Sequence, residues 1–435
     1  MNILVIGNGF DLAHGLPTKY MDFLGFCNHV SFICSRNEVK SADCYWNKFL
    51  LKWDINEEIK KALKDAFESR RIIIKKKGFC IAKTDYLRLN EMYTLIRDNI
   101  WIDYFLEFYV YHKENWIDFE SEISNIIQSL ENDLYSSSNN QSIDDDIKKL
   151  SNKFLCTRYP INIIKRILYV KVVTYKSVRN RLLGDLNRLI RAIEIYLYEY
   201  VEKIRIKTKS PDIVALEINR VLSFNYTHTF SRLYKIVNEI DKSDVELFDF
   251  IHGEANINNA IESNNMVLGI NEYLPEDRKD KDIEFIAFKK YYQRIYKGTG
   301  CKYKDWINEI REENDIYMAR KHDCEIFLKN GYGLSNEIEK MRAELKQLNE
   351  NPPRHNLYIF GHSLDITDKD ILHDLILNNN VYTTIFYPHK EELGRKIANL
   401  VKVIGQDELI RRTGGSTKTI EFRQQQDMIP ISYLN

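Results

Sequence analysis

The chain has 435 residues and a mass of 51.7 kDa, and its 44% hydrophobic and 29% charged residues are typical of a globular protein with a sizeable core. Its 63 basic and 63 acidic residues give a formal net charge of zero, which excludes a global electrostatic attraction to nucleic acid or to an anionic membrane. The seven cysteines have no C-x-x-C spacing, and no apolar run is long enough to span a bilayer. We therefore expect a cytoplasmic protein with reduced thiols and no metal.

Six short apolar runs are typical of parallel strands that are buried on both faces. Each lacks strict alternation and ends near Gly, Asn or His. The runs are Ile3–Ile6, Val221–Phe224, Leu247–Ile251, Met266–Ile270, Leu357–Phe360 and Tyr382–Phe386. Stretches with helical spacing separate them, at about 23–209 and about 276–350, and residues 161–206 are predicted to form a long amphipathic helix.

This alternation predicts an α/β fold whose parallel sheet is interrupted by large all-α insertions. The predicted discontinuous core comprises residues 1–35, 212–275 and 352–420. The predicted helical insertions are residues 36–211 and 276–351. The insertions are together larger than the core, and they carry no internal repeat.

The first strand ends at a glycine turn, Gly7-Asn8-Gly9, and gives way to helical sequence. Such a corner brings backbone N–H groups and a helix N-terminus close to a bound phosphate. The turn is not a G-x-G-x-x-G fingerprint, because position 12 is Leu, and no G-K-[ST] follows it as in a P-loop. A purely structural first turn is the alternative.

Three further predicted strands end in residue types that are unusual in plain turns. They are followed by Asn225-Tyr226-Thr227-His228, by His252-Gly253 and by Gly361-His362-Ser363-Leu364-Asp365. Ligands of open α/β sheets bind at the carboxyl ends of the strands, so we expect these segments and the glycine turn to meet in one crevice.

These segments resemble known motifs. Gly7–Pro17 is similar to the first NAD-binding motif of sirtuin-like proteins, and Ser223–Thr227, His252-Gly253 and Gly361–Leu364 resemble their later motifs. More closely, GNGFDLAHGLPTKY, SFNYTHTF, FIHG and IFGHSLDITDKDIL resemble the phage abortive-infection AbiH family. Residues 116–120 resemble a helix segment of that family less specifically. The resemblance covers the sheet core and little of the helical insertions.

The resemblance implies a sirtuin-like Rossmann core, a nicotinamide dinucleotide as substrate, and cleavage of its nicotinamide glycosidic bond in an anti-phage response. Asn225 and His252 would be catalytic, with His252 as general base. The implied nucleotide-binding residues are Gly7, Asn8, Gly9, Phe10, Asp11, Pro17, Thr227, Gly361, His362 and Ser363. A homo-oligomer and a phage-derived trigger are expected as partners.

Two residues depart from the sirtuin pattern. Asp11 stands where Ser is usual, and Thr227 stands where an acid is common. A carboxylate near a pyrophosphate is repulsive, so Asp11 is expected to bind a ribose hydroxyl or to cap a helix. Structural alternatives also exist for Asn225, as a helix cap, and for His252, as a core histidine bonded to the backbone.

Two other functions remain open from the sequence. The first is a nucleotide-binding sensor or effector without hydrolase activity. The second is a serine hydrolase, since Gly361–Asp365 resembles a nucleophile elbow with Ser363 as nucleophile. Asp368 or Asp370 and then His389 follow in the expected order.

Overall fold

The computed structural model describes residues 1–35, 55–75, 84–112, 118–137, 175–235, 247–331 and 333–431. Its central feature is a six-stranded sheet in which every neighbouring pair is parallel. The strands are β1 (Asn2–Ile6), β3 (Arg220–Ser223), β4 (Phe248–Phe250), β5 (His355–Phe360), β6 (Val381–Tyr387) and β7 (Ile420–Gln424). Two short strands, β2 (Thr208–Lys209) and β8 (Ile429–Pro430), form a separate antiparallel pair.

The sheet order is β4-β3-β1-β5-β6-β7, so the chain builds outward from β1 in one direction and then from β5 in the other. When the six strands are counted in chain order, this is the 3-2-1-4-5-6 order of doubly wound sheets. The order reverses between β1 and β5, whose register pairs Ile6 with Phe360. A crevice at the carboxyl ends of these two strands is where such sheets bind ligands.

Helices make up most of the remaining described chain. Before β2 they are α1 (Asn8–Ala13), α2 (Tyr20–Ser35), α3 (Glu57–Lys75), α4 (Thr84–Ile96), α5 (Ile100–His112), α6 (Phe119–Ser137) and α7 (Tyr175–Ile195), followed by a π-helix at Tyr196–Val201. Between β2 and β5 they are α8 (Pro211–Val214), α9 (Thr229–Leu233), α10 (Lys290–Lys297), α11 (Tyr303–Asn330) and α12 (Ser335–Glu350). After β5 they are α13 (Lys369–Ile376), α14 (Lys390–Ile404) and α15 (Gln406–Thr413).

Both faces of β1 are covered, which is why its sequence is apolar without alternation. Ile3 and Val5 pack into a cluster with α11, α13 and α14 on one face. Leu4 and Ile6 pack on the other face with Phe10 of α1. A strand that is buried on both sides holds the turn that follows it in a fixed position.

A third and larger cluster lies within the helical segments that follow β1. It contains Trp101, Phe119 and Tyr196 among many aliphatic side chains, all nearly fully buried. The Tyr196 hydroxyl donates a 2.7 Å hydrogen bond to the carbonyl of Pro17. Burial of each such aromatic side chain contributes ~2 kcal/mol or more, so these helices are firmly attached beside the first turn of the sheet domain.

The predicted α/β class with a parallel sheet is confirmed, as are strands at five of the six predicted positions. The strand predicted at Met266–Ile270 is wrong: only Ile270 makes an isolated bridge, to Lys289. The segment is buried because Met266, Leu268 and Ile270 belong to a large hydrophobic cluster, and its backbone bonds go partly to side chains such as Gln293. Strand β7 was not predicted, because its exposed polar residues mark it as an edge strand rather than a buried one.

The predicted helical stretches need correction at several places. Residues 276–285 form turns and coil, and α10 begins only at Lys290. Glycines at 298 and 300, both with positive φ, separate α10 from α11. Of the long helix predicted at residues 161–206, residues 175–201 are helical, as α7 and the π-helix, and residues 202–206 form turn and coil. Residues 161–174 lie outside the described residues.

Candidate functional site

The turns after β1 and β5 pack directly against each other where the strand order reverses. The amide of Gly9 donates a 2.8 Å hydrogen bond to the carbonyl of Gly361. Gly361 has a φ of +72°, and a Cβ added there would lie 2.1 Å from the amide nitrogen of Phe10. A Cβ on Gly7 would lie 2.7 Å from the Cα of His362. The glycines are therefore required by this contact between two backbones.

The amides of this turn are largely engaged by the protein itself. Gly7 N–H donates to the carbonyl of Phe360, and Phe10 N–H donates to the carbonyl of Gly7. Asn8 is exposed, and its side-chain oxygen accepts a 2.6 Å bond from the Thr18 hydroxyl. The solvent-exposed part of this turn is therefore at Asn8.

Asn225 joins the end of β3 to the turn after β1. Its side-chain amide donates a 3.0 Å hydrogen bond to the carbonyl of Gly7, and its own N–H donates to the Ser223 hydroxyl. The helix that follows, α9, has His228 as its N-cap, so Asn225 is not its cap. The residue before it, Phe224, packs edge-on against the rings of both His252 and His362.

Two histidines face one carboxylate at this edge. Nε2 of His252 lies 3.5 Å from Oδ1 of Asp368, and Nε2 of His362 lies 3.4 Å from Oδ2. Nδ1 of His362 accepts a hydrogen bond from the amide of Leu364, so its proton is on Nε2, facing the carboxylate. All three side chains are at most about a tenth exposed.

The same carboxylate also faces a buried ammonium group. Nζ of Lys290 lies 3.6 Å from Oδ1 of Asp368 and 2.7 Å from Oε2 of Glu120. Burial opposes ionisation of Asp368, but Lys290 and the two imidazoles outweigh it and hold its pKa well below the usual range. Burial raises the pKa of Glu120 to about 7 despite the neighbouring Lys290.

His252 is held in its neutral form. Burial lowers its pKa to about 4, and the charge of Lys290 acts in the same direction. The carboxylate of Asp368 favours the tautomer that carries its proton on Nε2. Nδ1 is buried and has no hydrogen-bond partner among the described residues, so it is not a core histidine bonded to the backbone. This nitrogen is a candidate proton acceptor.

Asp11 is buried and contacts a different set of polar side chains. Its Oδ2 accepts a 2.6 Å bond from the Thr227 hydroxyl, and Oδ1 has no partner among the described residues. Burial raises the pKa of Asp11 to about 6, against the opposing hydrogen bonds. The N-cap of α1 is Gly7, so Asp11 is not the helix cap.

Other predicted nucleotide-binding residues differ in their exposure. Phe10 is fully buried among His14, Phe230 and other aromatic rings, and Pro17 is buried beside Tyr196. Both are buried in the packing around the turn and offer little surface to a ligand. Ser363 is exposed.

The residues of the serine-hydrolase alternative do not assemble in the described chain. Asp368 faces His252 and His362, while Asp370 pairs with Arg294. Nδ1 of His389 instead caps α14 by accepting from the amide of Glu392. The positive φ lies at Leu364 and not at Ser363, so the turn is not an elbow centred on the serine.

Sequence reasoning missed Lys290 and gave Glu120 and Asp368 no role in this cluster. Asp368 lies within the segment that resembles AbiH proteins, and so does Glu120, of whose segment the structure describes residues 118–120. Nothing in the sequence around Lys290 distinguishes it from other lysines at helix starts. In the described chain no group of three His, Cys, Asp or Glu side chains is arranged to hold a metal ion.

The fold and the site define an α/β protein with a doubly wound parallel sheet and a buried polar cluster at its carboxyl edge. The chain matches the model of the bacteriophage abortive infection AbiH family over residues 3–388. It therefore belongs to this family, and membership supports a role in abortive-infection defence against phage. No curated protein and no solved structure matches the chain. Within the described ranges, none of the helices combines the length and the apolar character needed to cross a membrane.

Proposed function

We propose that this protein acts in phage defence by cleaving NAD+ or NADP+ at the nicotinamide glycosidic bond. The observation that carries the proposal is His252, a neutral, buried imidazole whose Nε2 faces Asp368 and whose Nδ1 is unpartnered among the described residues. Such an imidazole is suited to accept a proton from water or from a ribose hydroxyl.

The proposed dinucleotide is supported by the position of the cluster. It lies at the carboxyl ends of the strands where the order reverses, which is where doubly wound sheets hold dinucleotides. The sequence resemblance to sirtuin-like motifs falls on the same turns. A sirtuin-like Rossmann core is part of this proposal.

In the proposed reaction, the bond between ribose C1′ and the nicotinamide nitrogen breaks, and its electron pair goes to the nitrogen. The leaving group is neutral because the ring was cationic, so the step needs no metal. Water adds at C1′ through an oxocarbenium-like state and gives its proton to Nδ1 of His252. Asn225, fixed to the β1 turn, would orient the nicotinamide ribose or the water. The products are nicotinamide and ADP-ribose or its 2′-phosphate.

The remaining proposed contacts use the surface of the two turns. Asn8 and Ser363 are exposed residues of the two turns joined by the Gly9–Gly361 contact, and they would reach the phosphates and the adenosine side. Asp11, with its unpartnered Oδ1, would accept a hydrogen bond from a ribose hydroxyl. Because such an enzyme consumes a cofactor of its own cell, we propose low basal activity and a phage-derived or oligomeric trigger.

The test is incubation of the purified full chain with NAD+ and with NADP+, followed by chromatographic measurement of nicotinamide. His252→Ala is expected to lower release by ~100-fold or more. His373→Ala is a matched control, since His373 lies on the exposed face of α13 and is expected to leave release unchanged. Equal release by wild type and His252→Ala would overturn the role of His252. Dinucleotide binding without release by either protein would favour the sensor function.

A further inference from the structure

We propose that Lys290 is a positioning residue for His252, acting through Asp368, and that Glu120 is its counter-charge. This inference rests on the proposed function, since it concerns the histidine to which the reaction is assigned. It adds two residues that lie on helices, Glu120 between β1 and β3 and Lys290 between β4 and β5. The sequence motifs lie instead at the ends of the strands.

The three charged groups form a continuous buried chain of contacts. Glu120 contacts Lys290, Lys290 faces Oδ1 of Asp368, and that same oxygen faces Nε2 of His252. Lys290 is 4% exposed, so solvent does not screen its charge. A buried ammonium shared by two carboxylates fixes the carboxylate nearer to the histidine.

Each member is held by a different part of the fold. Glu120 follows Phe119, whose ring stacks on Tyr20 and Phe105 in the helical core. Lys290 begins α10, and its amide donates a 2.8 Å bond to the carbonyl of Ile270. Asp368 ends the short helix after β5. The geometry around His252 therefore depends on helices that precede β3, on a helix that precedes β5, and on the sheet.

Among the charged groups around His252, Lys290 is the cation that balances the buried carboxylates. Charged or titratable groups face the cluster from every element packed against it: Asp368 and His362 from the segment after β5, Lys290 and Arg294 from α10, Glu120 from α6, Tyr20 from α2, and Tyr226 from the segment after β3. Arg294 already pairs with Asp370 at 2.8 Å. Without Lys290, Glu120 would lose the ammonium 2.7 Å away, and Asp368 would be left facing the two imidazoles.

The expected consequence is that the base becomes protonated at a higher pH than in the wild type. When Lys290 is replaced by Met, Asp368 and Glu120 stabilise the imidazolium form of His252, and its pKa rises. A protonated imidazole cannot accept a proton, so the loss of turnover at acidic pH would begin at a higher pH than in the wild type.

The test is a pH titration of the histidine rings by NMR, on the full chain with ¹³C-labelled histidine and with the His252 signal assigned from His252→Asn. Lys290→Met is expected to raise the His252 pKa by ~1 unit or more, and Lys290→Arg to keep it near the wild-type value. The double variant Lys290→Met with Glu120→Gln keeps the net charge of the pair and is expected to give an intermediate pKa above the wild type.

The titration tests the role of Lys290 independently of the proposed glycohydrolase activity. If Lys290→Met folds and leaves the His252 titration unchanged, the proposal is overturned. If Lys290→Met does not fold, the charge-neutral double variant decides: a raised pKa supports the proposal and a wild-type pKa overturns it. The titration does not require turnover, so the failure of the proposed glycohydrolase activity would appear independently as the absence of nicotinamide release.

Discussion

The amide of Gly9 is hydrogen-bonded to the carbonyl of Gly361, which joins the turn after the first strand of the sheet to the turn after the fourth. This bond lies at the point where the strand order reverses. Because a Cβ on Gly361 would meet backbone atoms of Gly9 and Phe10, the close packing of the two turns requires this glycine independently of any ligand.

Substitution of Gly361 by Ala is expected to destabilise the protein severely, by ~4 kcal/mol or more, because the added Cβ meets backbone atoms of the facing turn. Gly298→Ala is the matched control: its φ is also positive, at +63°, but its Cβ would enter open space. That variant is expected to lose only ~1–2 kcal/mol. Urea unfolding of both variants measures the difference, and similar losses would contradict the close packing.

Asp11 is expected to make the protein less stable as pH rises. Its folded pKa of about 6 lies above the unfolded value of 3.8, so between these values the folded state holds the proton more tightly. Stability from this group is therefore present below pH 4 and is lost as pH rises through 6. Asp11→Asn is expected to remove this dependence and to be more stable than wild type at pH 8, by ~1–3 kcal/mol. The free energies of unfolding of wild type and Asp11→Asn are measured at pH 5 and pH 8. An equal change between the two pH values in both proteins would refute this expectation.

His228 is expected to contribute the opposite kind of pH dependence. It lies between Glu202 and Glu254, at 2.8 and 2.9 Å, and these carboxylates raise its pKa to about 9 although burial opposes the charge. Its contribution is fully present below the unfolded pKa of 6.5 and is lost as pH rises through 9. Since the site is partly exposed, His228→Gln is expected to cost only ~1–2 kcal/mol at pH 6 and almost nothing at pH 10. A cost that is the same at both pH values would contradict the paired geometry.

Glu194 is expected to anchor the loop that carries His252. It is fully buried, pairs with Arg191 at 2.6 Å, and accepts hydrogen bonds from Asn256, Asn259 and Asn264. Glu194→Ala would leave a buried guanidinium without this partner, at a cost of ~3–5 kcal/mol.

The control for Glu194 is Glu350→Ala, which removes an exposed partner 3.9 Å from Lys346 and is expected to cost less than ~0.5 kcal/mol. Hydrogen exchange of residues 256–264 should rise in Glu194→Ala and stay unchanged in Glu350→Ala. Unchanged exchange in both would show that the loop is held by other contacts.

Much of the sheet could be predicted from the sequence because buried parallel strands leave a local signal. Runs such as Ile3–Ile6 are apolar throughout, and their glycine or histidine ends mark one edge of the sheet. The same signal failed at Met266–Ile270, because a buried loop is also apolar, and only its bonding distinguishes it from a strand. Strand β7 is mostly exposed and polar, so a search for buried apolar runs could not recognise it.

The site was predictable only in part, for a physical reason. His252 and His362 follow strands, so topology alone brings them to one edge. Lys290 and Glu120 lie on helices, and their position depends on how those helices pack against the sheet. A single charged residue in an amphipathic helix has no local feature that separates a buried ion pair from a solvated side chain.

Cleavage of NAD+ or NADP+ in phage defence is tested most directly by measuring the nicotinamide dinucleotide pool of phage-infected cells that express this protein. Wild type and His373→Ala are expected to deplete the pool after infection and to reduce plaque formation, whereas His252→Ala should do neither at equal protein level. Protection by His252→Ala with an intact dinucleotide pool would contradict defence through dinucleotide cleavage by His252.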